Sequence, residues 1–163
     1  DVYKRQEAFI ASILAGIKKS EREIERMCCG RKNKLKGESG QSHQVDISFI
    51  DRTFEEPTLV LIECKRCTRK VSVDVAKILK YNATDISLNP DYPNQILMII
   101  VSISDFQDGT RRVADYEQIR LHTVGHGPPF GFDYENIIFV GQVDQFAVNE
   151  YTNIVISPPS DGQ

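Results

Sequence analysis

Thr58 to Cys64 carries Leu59, Val60, Leu61 and Ile62 without a polar residue between them, and no other segment restricts the fold of this chain as much. A strand with one covered face alternates apolar and polar residues, whereas an unbroken apolar run needs cover on both faces. The segment is therefore expected at the centre of a sheet. It closes with Glu63-Cys64-Lys65. Successive strand side chains point to opposite faces, so Glu63 and Lys65 share one face and Cys64 points away. A carboxylate and an ammonium at the end of so apolar a strand are costly unless they are paired, solvated or bound to a metal.

The surrounding pattern supplies the rest of an α/β fold. From Glu7 to Met27, Phe9, Ile10, Ile13, Leu14, Ile17, Ile24 and Met27 recur with the 3.6-residue period of an amphipathic helix. Gly30 stops it, and Cys28 and Cys29 are expected as small buried thiols at its end. A strand is expected around Lys32 to Lys36, followed by a turn over Gly37 to Ser42. Val45, Ile47 and Phe49 alternate with Asp46, Ser48 and Ile50, which predicts a strand, and a turn follows at Asp51 to Pro57. Ser72 to Leu88 is spaced as a second helix, ended by Pro90 and Pro93. Ile96 to Ile103 is a further buried strand, Asp108 to Gln118 a short helix and Ile119 to Thr123 a brief strand. This order predicts an α/β architecture, a mixed β-sheet flanked by helices. Beyond it, His126 to Phe132 is expected as a loop because of Pro128 and Pro129, with short strands at Ile137 to Val140 and Asn153 to Ile156.

Length and composition set the frame. A chain of 163 residues with 40% hydrophobic content buries one sizeable core. The expected division is a core over 7–124, a C-terminal extension over 125–163, and a segment over 1–6 that is not native. DVYKRQ, the sequence of that last segment, resembles a translated sequencing adapter. The net charge of -3 gives no global footprint for a polyanion. A nucleic acid would have to meet a local patch, such as Arg31, Lys32, Lys34 and Lys36 or Lys65, Arg66, Arg69 and Lys70. No secretory or membrane-spanning apolar stretch is present, so a reducing, cytoplasmic setting without membrane association is expected. Cys64 and Cys67 form a CxxC, but Cys28-Cys29 is a poor second half for a zinc site. His43, His122 and His126 form no HxH or HExxH arrangement, and His43 is expected in a turn, bonded to backbone.

Asp46 gives the Glu63–Lys65 pair a chemical meaning. It falls in the strand before the apolar run, and a neighbouring strand in a meander can bring its carboxylate to Glu63. Two carboxylates, a backbone carbonyl and several waters make an open site for a hard cation such as Mg2+, with Mn2+ an alternative. A cation there would activate water and neutralise charge developing at phosphorus, with Lys65 holding the water or stabilising the transition state.

Asp46 followed by Glu63-Cys64-Lys65 after an apolar strand resembles the PD-(D/E)XK nuclease motif, with Val45 where the motif has proline. Gly37-Glu38-Ser39-Gly40-Gln41-Ser42-His43-Gln44-Val45-Asp46 resembles the glycine-rich turn and aspartate strand of Mrr-like restriction endonucleases. Lys70-Val71-Ser72 and Phe106 to Ala114 are similar to the same group, and the likeness runs from about Glu7 to Leu121. The resemblance implies a restriction-endonuclease-like fold, Asp46, Glu63 and the Cys64 carbonyl as metal ligands, and Lys65 as the catalytic lysine. It also implies a first-helix glutamate near the metal. Glu7 is the matching position, and it would serve equally as a helix-dipole carboxylate. Gln44 is a weaker candidate for contact with phosphate or water. The implied activity is metal-dependent hydrolysis of DNA, in restriction of foreign DNA, with Arg31, Lys34, Arg69 and Arg111 on phosphates and base recognition supplied by a further domain. A Holliday-junction resolvase or repair nuclease, which needs a homodimer, is one alternative. A non-catalytic nucleic-acid-binding or assembly module is the other.

Overall fold

The computed structural model describes residues 2–125 and 130–138 of the chain. It divides into two compact units, Asp1–Phe132 and Asp133–Gln163. The first unit begins with helix α1 (Val2–Lys18), then strand β1 (Ile24–Cys29), β2 (Lys34–Lys36), β3 (Ser42–Gln44), β4 (Ile47–Asp51) and β5 (Thr58–Lys65). Helix α2 (Val73–Ser87), β6 (Gln95–Ser102), α3 (Asp108–Glu117) and β7 (Ile119–Thr123) complete it. No described helix is long and apolar enough to cross a membrane.

Five strands form a mixed sheet in the order β1-β4-β5-β6-β7, and β2 and β3 pair separately as a hairpin. β5 is central, antiparallel to β4 and parallel to β6. Its apolar run is why. Leu59, Val60, Leu61 and Ile62 are all buried, and each such side chain stabilises the fold by ~1.5–3 kcal/mol when taken from water. Leu59 and Leu61 face a cluster that includes Ala76, Leu79, Ala83 and Ile86 of α2, Ala114 of α3, and Met98 and Ile100 of β6. Val60 and Ile62 point the other way and are equally buried, as are Phe49 and Ile99. In α1, Phe9, Ile13 and Ile17 are fully buried, and Phe9 meets Phe130 edge-on at 5.0 Å.

The structure corrects the sequence reading at several places. The helix expected to Met27 ends at Lys18, where the Ser20 hydroxyl donates to the Ile17 carbonyl at 2.7 Å and competes with helix continuation. Ile24 to Cys29 pairs instead with β4, through a bulge at which Arg26 takes φ 57°. Cys28 and Cys29 therefore lie exposed on an edge strand, not buried at a helix end. Asp46 lies just before its strand, not within it. In the second unit, 134–138 is helical where Ile137 and Ile138 were expected in a strand. Asp133 caps this turn, its carboxylate accepting from the Asn136 N–H at 3.1 Å. The expectations for His126, for 139–140 and for Asn153 to Ile156 lie outside the described residues.

Candidate active site

The register of β4 on β5 runs from Asp51↔Thr58 to Ile47↔Ile62. One step further along the same antiparallel ladder sets Asp46 across from Glu63. The strand has opened there, and the peptide N–H of Cys64 donates to Asp46 Oδ2 at 2.8 Å instead of joining the ladder. This bond turns the Asp46 carboxylate toward the end of β5. Gln44 supports the other oxygen, its Nε2 lying 3.3 Å from Asp46 Oδ1. The Asp46 carbonyl in turn accepts the Gly30 N–H at 2.9 Å.

Glu63 and Lys65 share the face expected of them, with Lys65 Nζ 3.5 Å from Glu63 Oε2. The Glu63 side chain is 22% exposed. Burial, and then the charge of Asp46, push the Glu63 carboxyl up to about 7, although the Lys65 ammonium pulls the other way. Burial also drives the Cys64 thiol well above its ordinary range, so that side chain stays protonated and only its backbone faces the site. A buried carboxyl whose ionisation is opposed by a second carboxylate, beside one ammonium, forms an electrostatically incomplete group.

That incompleteness is the test of fit for a cation. Among the described residues no three His, Cys, Asp or Glu side chains are placed to share a metal. A cation here would be held by Asp46 and Glu63, with the Cys64 carbonyl and water filling the remaining positions. This donor set suits a hard, hydrated ion such as Mg2+ or Mn2+. The Cys64 carbonyl also accepts from Gln6 Nε2 at 3.1 Å, which leaves its second lone pair. Glu7 is exposed, and its neighbour Gln6 is the α1 residue whose side chain bonds the Cys64 carbonyl.

The candidate phosphate contacts are scattered around this end of the sheet. Arg31 is exposed, its guanidinium 4.3 Å from the Tyr3 ring centre. Lys34 is exposed on β2. Arg69 is exposed after β5, its carbonyl fixed by the Ser104 hydroxyl at 2.8 Å. Arg111 is committed to an ion pair with Asp105, which offsets its charge. The CxxC does not face one way, since Cys64 is buried and Cys67 exposed.

Sequence reasoning missed a second ionic cluster, which ties the β2–β3 hairpin to α2. His43 is buried on β3, and its partner is a side chain, not the backbone expected. His43 Nε2 lies 2.7 Å from Asp85 Oδ2. The Ser39 hydroxyl donates to Asp85 Oδ2 at 2.6 Å and the Ser39 N–H to Oδ1 at 3.0 Å. These bonds hold the Asp85 carboxyl at about 2, with His43 the largest cause. Histidine and serine both bond the carboxylate directly, so the histidine does not bridge them and the trio is no nucleophile relay. Gly37 lets the turn approach, because a Cβ there would overlap the Asp85 carboxylate. The available signal was the alternation Ser42-His43-Gln44, which puts His43 inward; its partner lies 42 residues away.

The sequence matches no family model and no curated protein. Among solved structures, the chain is similar to a repair endonuclease from Pyrococcus abyssi, at 14% identity and a TM-score of 0.52, over 74% of this chain and 47% of the other. A protein of unknown function is similar at 13% identity and a TM-score of 0.52, over 81% of this chain and 65% of the other. The chain thus spans about half to two-thirds of the length of these neighbours. It has an endonuclease-like fold, the mixed five-stranded sheet flanked by helices implied by the PD-(D/E)XK resemblance.

Proposed function

We propose that this chain is a cation-dependent nuclease that hydrolyses phosphodiester bonds in DNA, with Asp46, Glu63 and Lys65 at its centre. The observation that carries this reading is a buried glutamate at the end of β5 with one ammonium 3.5 Å away, its carboxyl lifted to about 7 first by burial and then by the charge of Asp46. Sites that a substrate or cation completes store this kind of imbalance. A bound Mg2+ or Mn2+ would supply positive charge to a phosphate oxygen and acidify a water. Asp46, braced by the Cys64 N–H and Gln44, would hold the cation side of the site rigid. Glu63 would have to release its proton before it could take part. Lys65 would orient the attacking water or steady the charge that builds on the phosphoryl oxygens. Arg31 and Arg69 would position the duplex through its backbone.

A role in repair is the second reading, favoured over restriction by the likeness in fold to the Pyrococcus abyssi repair endonuclease. It calls for activity on damaged, mismatched or branched DNA and accommodates a homodimer. Both readings are tested with supercoiled, mismatched and branched DNA in Mg2+ or Mn2+, beside an EDTA control and Glu63→Ala. Cation-dependent cleavage lost in the variant is expected. DNA binding without cleavage of any substrate would replace the nuclease by a binding module.

A further inference from the structure

The β2–β3 hairpin stands outside the main sheet and sorts its side chains strictly by face. Leu35 and His43 point inward and are buried, 4% and 6% exposed. Lys34 and Lys36 on one strand, and Gln44 and Ser42 directly across from them on the other, are all exposed. Four cations, Arg31, Lys32, Lys34 and Lys36, fall within 30–45 against one carboxylate, Glu38. In a chain of net charge -3, that concentration is a local anion-facing surface. The hairpin is also held firmly. Its tip is bonded to Asp85 through Ser39 and His43, Asn89 Nδ2 donates to the Lys36 carbonyl at 2.7 Å, and Asn33 Nδ2 donates to the Val45 carbonyl and Ser48 hydroxyl at 3.0 Å each. Its last residue, Gln44, touches Asp46.

We propose that the β2–β3 hairpin is a DNA-reading ribbon that enters the major groove beside the candidate catalytic group, with Lys34, Lys36 and Ser42 directed at base edges. This rests on the reading of DNA as substrate. The major groove of B-form DNA admits a two-stranded ribbon, and lysine and serine are suited to the acceptors displayed there. The deep, narrow major groove of an RNA duplex does not admit such a ribbon, so the proposal commits to double-stranded DNA. A braced ribbon keeps its side chains in register with the bases, and the Gln44–Asp46 contact ties that register to the position of the cut. Gln44 is left out of the test because it supports Asp46.

The test compares the full chain with Lys34→Ala/Lys36→Ala and Ser42→Ala on a duplex library with randomised bases, in Mg2+, sequencing the new ends. Anisotropy with a fixed duplex is read beside it over a range of salt. The wild type is expected to prefer certain base pairs within a few positions of the cut, and the double variant to reduce that preference about 10- to 100-fold. Ser42→Ala should change preference with the salt slope unaltered. A flat distribution in the wild type, or an unchanged one in both variants while cleavage persists, would overturn the ribbon and leave the nuclease standing. A wild type that neither binds nor cuts DNA would overturn both.

Discussion

Two carboxylates of this protein are pulled in opposite directions, and the difference separates a joint in the fold from a candidate site. Asp85 is surrounded by donors, the His43 ring and two groups of Ser39, and its carboxyl is held at about 2. Glu63 faces burial and the charge of Asp46 with only Lys65 to help, and its carboxyl is lifted to about 7. The first arrangement is complete within the chain and stabilises the charged form. The second, on the proposed reading, is completed by a cation or substrate from outside. Both join segments distant in sequence, so distance in sequence does not distinguish them; the balance of donors and acceptors does.

Substitutions can break that contrast, and the largest effect is expected on chemistry. Glu63→Ala and Lys65→Ala should each lower single-turnover cleavage by at least about 100-fold, while Asp85→Asn should leave the chemical step within a few-fold of wild type. Next in size is Gly37→Ala. Asp85 would have to swing away from the added methyl and lose its partners, read as a lowered midpoint in urea. Smaller is the pH dependence at Glu63. A carboxyl raised in the folded state contributes stability that is present below its unfolded value, near 4.5, and lost as pH rises through about 7. Glu63→Gln should therefore raise the Tm of metal-free protein at pH 8 by about 5 °C, with little change at pH 4. Asp85 has the opposite sign. Its depressed carboxyl contributes stability above about 3.8 that disappears as pH falls through about 2. The Tm deficit of Asp85→Asn should accordingly shrink on acidification, the smallest of these effects.

How much of this was legible depended on whether the controlling contact was local. The central strand was readable because Leu59 to Ile62 admit only a doubly covered environment, and Glu63 and Lys65 share a face by strand geometry alone. Asp46 was reachable because β4 and β5 are consecutive and antiparallel. β1 was not, since Ile24 and Met27 fit the helical period and only pairing with β4 decides between the two structures. Cys28 and Cys29 were misplaced for the same reason. The Asp85 clamp was equally hidden, because a helical aspartate carries no local sign of a histidine 42 positions earlier. Gln6 gave no signal either, because it falls in the adapter-like segment before Glu7, yet its amide is the one that reaches Cys64.

Calorimetric titration of Mn2+ at pH 8 into wild type, Asp46→Asn, Glu63→Gln and Asp85→Asn sets the two carboxylate groups against each other in one measurement. Binding to wild type and Asp85→Asn, weakened at least about tenfold in Asp46→Asn and Glu63→Gln, is the expected result. Undiminished binding in Glu63→Gln, or no binding by the wild type, would contradict the assignment of Asp46 and Glu63 as the cation site.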